Sequence, residues 1–144
     1  MTLLKLAKDL GIADRVRLLP VAAPEEMVQL AQSYDLGLSL ETEVTESRKL
    51  CLTNKIFTYL LAGVPVIMSD TPAQTALAHE LGMASMLVNL ADPQGIADRL
   101  DRLSAPSVLS EAKKAALRLG HERYNWDREK AVLLEAVASA VRKA

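Results

Sequence analysis

The chain has 144 residues, with 17 Lys and Arg against 18 Asp and Glu and a formal net charge of −1. That is the size of one domain, with no global charge to steer it toward nucleic acid. Half of the residues are hydrophobic and 24% are charged, which supplies a core and argues against disorder.

The five aromatic residues, Trp126, Phe57, Tyr34, Tyr59 and Tyr124, are too few for a base-stacking surface. A single cysteine, Cys51, excludes an internal disulfide and a Cys-rich zinc site, and His79 and His121 lie too far apart to suggest a metal pair. The longest apolar runs, Tyr59–Met68 and Leu81–Ala91, fall short of the roughly 20 residues of a spanning helix. With no signal-peptide pattern at the N-terminus, the expectation is a reduced, cytoplasmic protein without a transmembrane segment.

In chain order, Leu3, Leu6 and Leu10 recur at helical spacing and Gly11 ends that helix. Arg15–Leu19 alternates and stops at Pro20, which predicts a strand; Pro24, Glu25 and Glu26 then open a helix with a stripe of Met27, Leu30, Ala31 and Tyr34. Leu36–Leu40 predicts a strand with a small-residue face, and the polar stretch Glu41–Lys49 predicts a loop. Thr53 is placed to cap a helix carrying Ile56, Phe57, Leu60 and Leu61, and Gly63 ends it.

Val64–Met68 is the apolar run of a strand buried on both faces, with Pro65 tolerable only at its start. A helix from about Pro72 to Leu81, a strand at Ala84–Val88 and a helix from Asp92-Pro93 through Leu103 follow. Two further helices, about Pro106–Leu119 and Asp127–Arg142, end the chain. Strands alternating with helices predict a single-domain α/β fold with an open parallel sheet covered by helices on both faces. His79 and His121 are expected on helix surfaces.

In such sheets ligands bind beyond the carboxyl ends of the strands. No two glycines lie within a dozen residues of each other, so the dinucleotide fingerprint and the phosphate-cradling P-loop are both absent. The segments placed there are Pro20–Pro24, Glu41–Thr53, Ser69–Pro72 and Asn89–Pro93, and the one that stands out contains Glu41-Thr42-Glu43-Val44-Thr45-Glu46-Ser47-Arg48-Lys49, three carboxylates and two cations that feed into the helix start at Thr53 and Asn54. Free amides at that start favour an anion.

The string Asn54-Lys55-Ile56-Phe57-Thr58-Tyr59-Leu60-Leu61-Ala62-Gly63-Val64-Pro65-Val66 resembles the core motif of the C-terminal, donor-binding domain of retaining GT-B glycosyltransferases of the bacterial group 1 family. Leu10–Leu19 is similar to that family's "LGLxDRVxFLG", Pro24–Gly37 to its "PxEELxxLYxxADxxL" and Tyr124–Asp127 to its "FSWE", and the match is collinear over nearly the whole chain. The resemblance implies a Rossmann-like half of a GT-B fold that binds a nucleotide-diphosphate sugar, with no metal or other cofactor. In the family a Glu-x7-Glu motif contacts the transferred sugar and the ribose. Here Glu46 takes the first position and Asn54 the second, so an amide replaces the ribose carboxylate. Leu50–Thr53 then meets the diphosphate, with Arg48 and Lys49 adding charge.

Against that pattern, the chain lacks the family's first two donor-domain strands, its phosphate-neutralising Arg and Lys, and the acceptor-binding domain. In the family's strand order the missing strands fall between Arg15–Leu19 and Leu36–Leu40, so either these two pair directly or a second chain completes the sheet. The expectation is a homo-oligomer, or a pairing with a separate acceptor-binding domain, inactive as an isolated chain. The alternative is a noncatalytic truncated product or interaction module that keeps the fold and assembles through exposed helices and sheet edges.

Overall fold

A computed structural model describes residues 2–42 and 44–143; Glu43 of the acidic stretch lies outside the described residues. Eight α-helices and three strands are described: α1 (Leu3–Asp9), α2 (Met27–Ala31), β1 (Gly37–Ser39), α3 (Glu46–Leu50), α4 (Asn54–Leu61), β2 (Val66–Ser69), α5 (Pro72–Leu81), β3 (Ser85–Val88), α6 (Pro93–Ser104), α7 (Pro106–Glu122) and α8 (Trp126–Lys143). The strands form one parallel sheet in the order β1-β2-β3, with Leu38 opposite Ile67 and Ile67 opposite Met86. The fold is α/β with an open parallel sheet, consistent with a Rossmann-like arrangement.

Every residue of β2 is buried, because alternate side chains point to opposite faces and both faces are covered. Val66 and Met68 pack with Ile56 and Leu60 of α4 and Leu77 and Leu81 of α5, while Ile67 packs with Val88 and with Leu103 of α6. α7 closes the end where the strands begin. Its Ala116 belongs to the first cluster and its Ala112 to the second, and Lys113 Nζ reaches Asp35, just before β1, at 2.7 Å.

Punctuation follows local chemistry. Gly11 and Gly63 end their helices at φ of 69°, a conformation that costs a side-chain-bearing residue energy. Thr71 caps α5 by accepting from Gln74 N, and Asp92 Oδ1 caps α6 at Gly95 N, 3.0 Å.

Two expectations are corrected. Arg15–Leu19 is not a strand: residues 13–15 form a 3-10 turn, Val16 is extended, the residues after it join no ladder, and Leu18 and Leu19 are exposed. Its alternation is genuine, but a strand is stable only on a ladder, and no described strand lies beside it or on the outer edge of β1. Direct pairing of these two segments is therefore ruled out among the described residues. Within the predicted loop Glu41–Lys49, α3 begins at Glu46, capped by Thr45 Oγ1 accepting from Arg48 N at 3.3 Å. A five-residue helix is too short to announce itself by an apolar stripe.

The helix contact at Gly120 is testable. A Cβ there would stand 2.6 Å from the carbonyl carbon and oxygen of Leu60, backbone atoms of α4 that cannot swing aside. Gly120→Ala is expected to lower stability by about 2–3 kcal/mol, read from the midpoint of urea unfolding with the slope unchanged.

Candidate functional site

The carboxyl ends of β1 and β2 are joined by a buried polar chain. Gln74, in the first turn of α5 and fully buried, accepts from Ser69 Oγ at 2.9 Å and donates from Nε2 to Ser39 Oγ at 3.1 Å. Ser39 Oγ continues to Thr53 Oγ1 at 3.3 Å, and Ser69 Oγ accepts the backbone N–H of Glu41 at 2.8 Å. Buried hydroxyls at the ends of two strands are satisfied by one amide, which matters because an unpaired buried polar group costs about 1–3 kcal/mol.

Glu41 extends this chain outward into charge. Its carboxylate, 7% exposed as a residue, takes Lys55 Nζ at 2.8 Å on one oxygen and Arg48 Nη1 at 3.0 Å on the other. The hydrogen bond from Lys55, helped by the charges of Lys55 and Arg48 and opposed by burial, holds the Glu41 carboxyl below its ordinary range.

The structure divides the residues singled out from sequence. Arg48 and Thr53 join the network described above. Thr53 occupies the N-cap position of α4 but makes no side-chain cap, because its hydroxyl turns inward to Ser39. Glu46 and Lys49 pair with each other at 2.7 Å on the exposed side of α3. Asn54, the first residue of α4, is exposed and lines a separate groove. Glu41 and Ser69 lie in segments that the sequence singles out but carry no role of their own there, and Lys55, Ser39 and Gln74 are not singled out as site residues. The available signals were a hydroxyl residue closing each of two apolar strands and a glutamine in the first turn of the helix that follows one of them.

The groove, about 690 Å³, lies between α4 and α5 and is bounded by the elbow from α7 to α8; Phe57, Leu61, Leu77, Tyr124 and Trp126 make its apolar walls. Three of the chain's five aromatic residues meet there. Phe57 and Tyr124 pack with ring centres 5.7 Å apart, and Glu80 at the rim accepts from Tyr124 Oη at 2.8 Å and Arg123 Nη2 at 2.9 Å.

Among the described residues no cluster of His, Cys, Asp and Glu could hold a metal ion, and no helix is long and apolar enough to cross a membrane. His79 and His121 are exposed on their helices, and Cys51 is exposed. The fold and this crevice define a parallel α/β domain with a polar, charged rim at the carboxyl ends of its strands. Compared with family models, curated proteins and solved structures, the chain matches none.

Glu41→Gln keeps the shape and removes the charge, leaving Lys55 and Arg48 without their counter-ion. At neutral pH the expected loss is about 1–2 kcal/mol, since both cations are partly solvated. Because the folded-state pKa of Glu41 lies below its ordinary 4.5, its contribution is complete above that value and fades as pH falls through the folded pKa. Urea unfolding of the two proteins should therefore converge well below pH 4.5. A pH-independent gap would mean that charge is not what Glu41 contributes.

Proposed function

We propose that this chain is the donor-binding half of a retaining glycosyltransferase, holding a nucleotide-diphosphate sugar at the amino end of α4 for transfer of a hexosyl unit to a saccharide or lipid-linked acceptor. The observation that carries the reading is the way α4 begins. With the Thr53 hydroxyl turned to Ser39, the amides of Asn54 and Lys55 have no side-chain acceptor among the described residues. They sit beyond the ends of parallel strands, where the helix dipole favours a phosphate. Asn54 offers ribose hydroxyls both an acceptor and a donor, and Glu46, exposed on α3, is available to sugar hydroxyls.

The charges set the strength. Arg48 and Lys55 are already paired with Glu41, and Lys49 with Glu46, so a diphosphate competes with internal carboxylates for every cation nearby. The expected affinity is near millimolar, about −4 kcal/mol. What these residues supply is binding and positioning; holding the acceptor belongs to a separate domain. A second reading, a noncatalytic assembly module, is favoured by α8, none of whose side chains from Trp126 to Arg142 is buried.

Titration with uridine, guanosine and adenosine diphosphate sugars, followed by amide NMR, tests the first reading. Shifts should centre on Thr53–Ile56, and Glu46→Ala and Asn54→Ala should each weaken binding about fivefold. Shifts confined to the helices around Trp126, or an affinity that neither substitution moves, would overturn it.

A further inference from the structure

α8 carries a broad apolar surface in water: Trp126, Leu133, Leu134, Val137 and Val141 are each between 52% and 71% exposed. At 100° per residue these five fall on one face, and Arg128, Glu135 and Arg142 fall on the other. The stripe starts at Trp126, which also lines the groove between α4 and α5, and resumes at Leu133 past Lys130, which lies on the same face and pairs with Asp127.

Beyond its first turn, whose Trp126 and Glu129 line the groove, the arm does not return to it. Asn125 fixes its exit: Nδ2 donates to Gly120 O at 3.1 Å and His121 O at 2.8 Å, while Oδ1 accepts from Arg128 N at 3.1 Å. From there the helix runs unbroken to Lys143. A ridge and a groove on the same chain that meet only at the helix's first turn leave both open to a two-fold exchange.

We propose that two copies of this chain exchange α8, each arm lying in the α4–α5 groove of its partner. The sizes agree. A groove of about 690 Å³ takes roughly 18 Å of a helix ~10 Å across sunk to half its depth, about twelve residues of the arm. Such a contact buries about 280 Å² on the arm and as much on the groove, some 550 Å² for one arm and 1,100 Å² for two. One arm falls below the roughly 1,000 Å² of a specific interface, and the reciprocal pair clears it. A membrane surface is a poorer occupant. The arm's Asp127, Glu129 and Glu135 nearly balance its Arg128, Lys130, Arg142 and Lys143, without the basic excess that holds a helix to anionic lipid.

The test uses sedimentation velocity and the emission of Trp126, the chain's one tryptophan, over roughly a hundredfold range of concentration. The 144-residue chain should pass from monomer to dimer, and emission should shift to the blue in step as Trp126 is covered. Leu133→Asp with Val137→Asp, at exposed positions that leave the circular dichroism unchanged, should weaken association at least about a hundredfold and keep the emission red. Leu38→Lys, on the free edge of β1, should leave the dimer intact. In a Cys51→Ser background, copies carrying Leu61→Cys should oxidise onto copies carrying Val137→Cys. A chain monomeric throughout, a dimer that survives the double substitution, loss of the dimer by Leu38→Lys, or Val137→Cys copies joining only each other would each overturn the exchange.

Discussion

The side-chain amide of Gln74 is the interaction on which the upper half of this fold depends. A parallel sheet whose first two strands end in serine leaves hydroxyls where the apolar core gives way to the polar rim, and each must find a partner away from water. Gln74 serves both at once, holding Ser69 through its oxygen and Ser39 through its nitrogen. This fixes the spacing of β1 and β2 at their open end. Through Ser39 it also fixes Thr53, and with it the start of α4. A hydrophobic residue of similar size would fill the space and leave Ser69 with only the Glu41 amide and Ser39 with only Thr53.

The same chain governs the charges outside it. Ser69 accepts the Glu41 amide, which sets the carboxylate at the rim, and the carboxylate then draws in one cation from α3 and one from α4. Holding Arg48 and Lys55 on a single counter-ion prevents two positive side chains from repelling each other beside a helix start whose dipole is itself positive. The arrangement leaves neither Arg48 nor Lys55 without a counter-ion at the open end of the sheet.

At the other end of the sheet small residues take the place of polar networks. α7 approaches α4 closely enough that Gly120 lies on the Leu60 backbone and Leu117 packs beside Gly63, with Ala112 and Ala116 fully buried in between. Close packing of this kind leaves no freedom for the chain leaving α7. The direction of α8 is therefore decided by the Asn125 elbow and not by any contact α8 makes itself, and its apolar side chains are left in water.

Much of this protein was legible in its sequence. The α/β class, the positions of β1, β2 and β3 to within a residue or two, and the ends of α1, α4 and α5 at Gly11, Gly63 and Gly82 follow from periodicity and from residues that stop helices. These are local properties that a chain carries whatever it packs against. Tertiary structure alone decided the rest. Arg15–Leu19 has a strand's alternation and no ladder to join, and Thr53 has a capping residue's chemistry but spends its hydroxyl on Ser39. Glu41, Lys55, Ser69 and Gln74, dispersed along the chain, form one network. Pairing and hydrogen bonding between distant residues depend on which segments the fold brings within 3 Å or so of each other, and no local pattern records that.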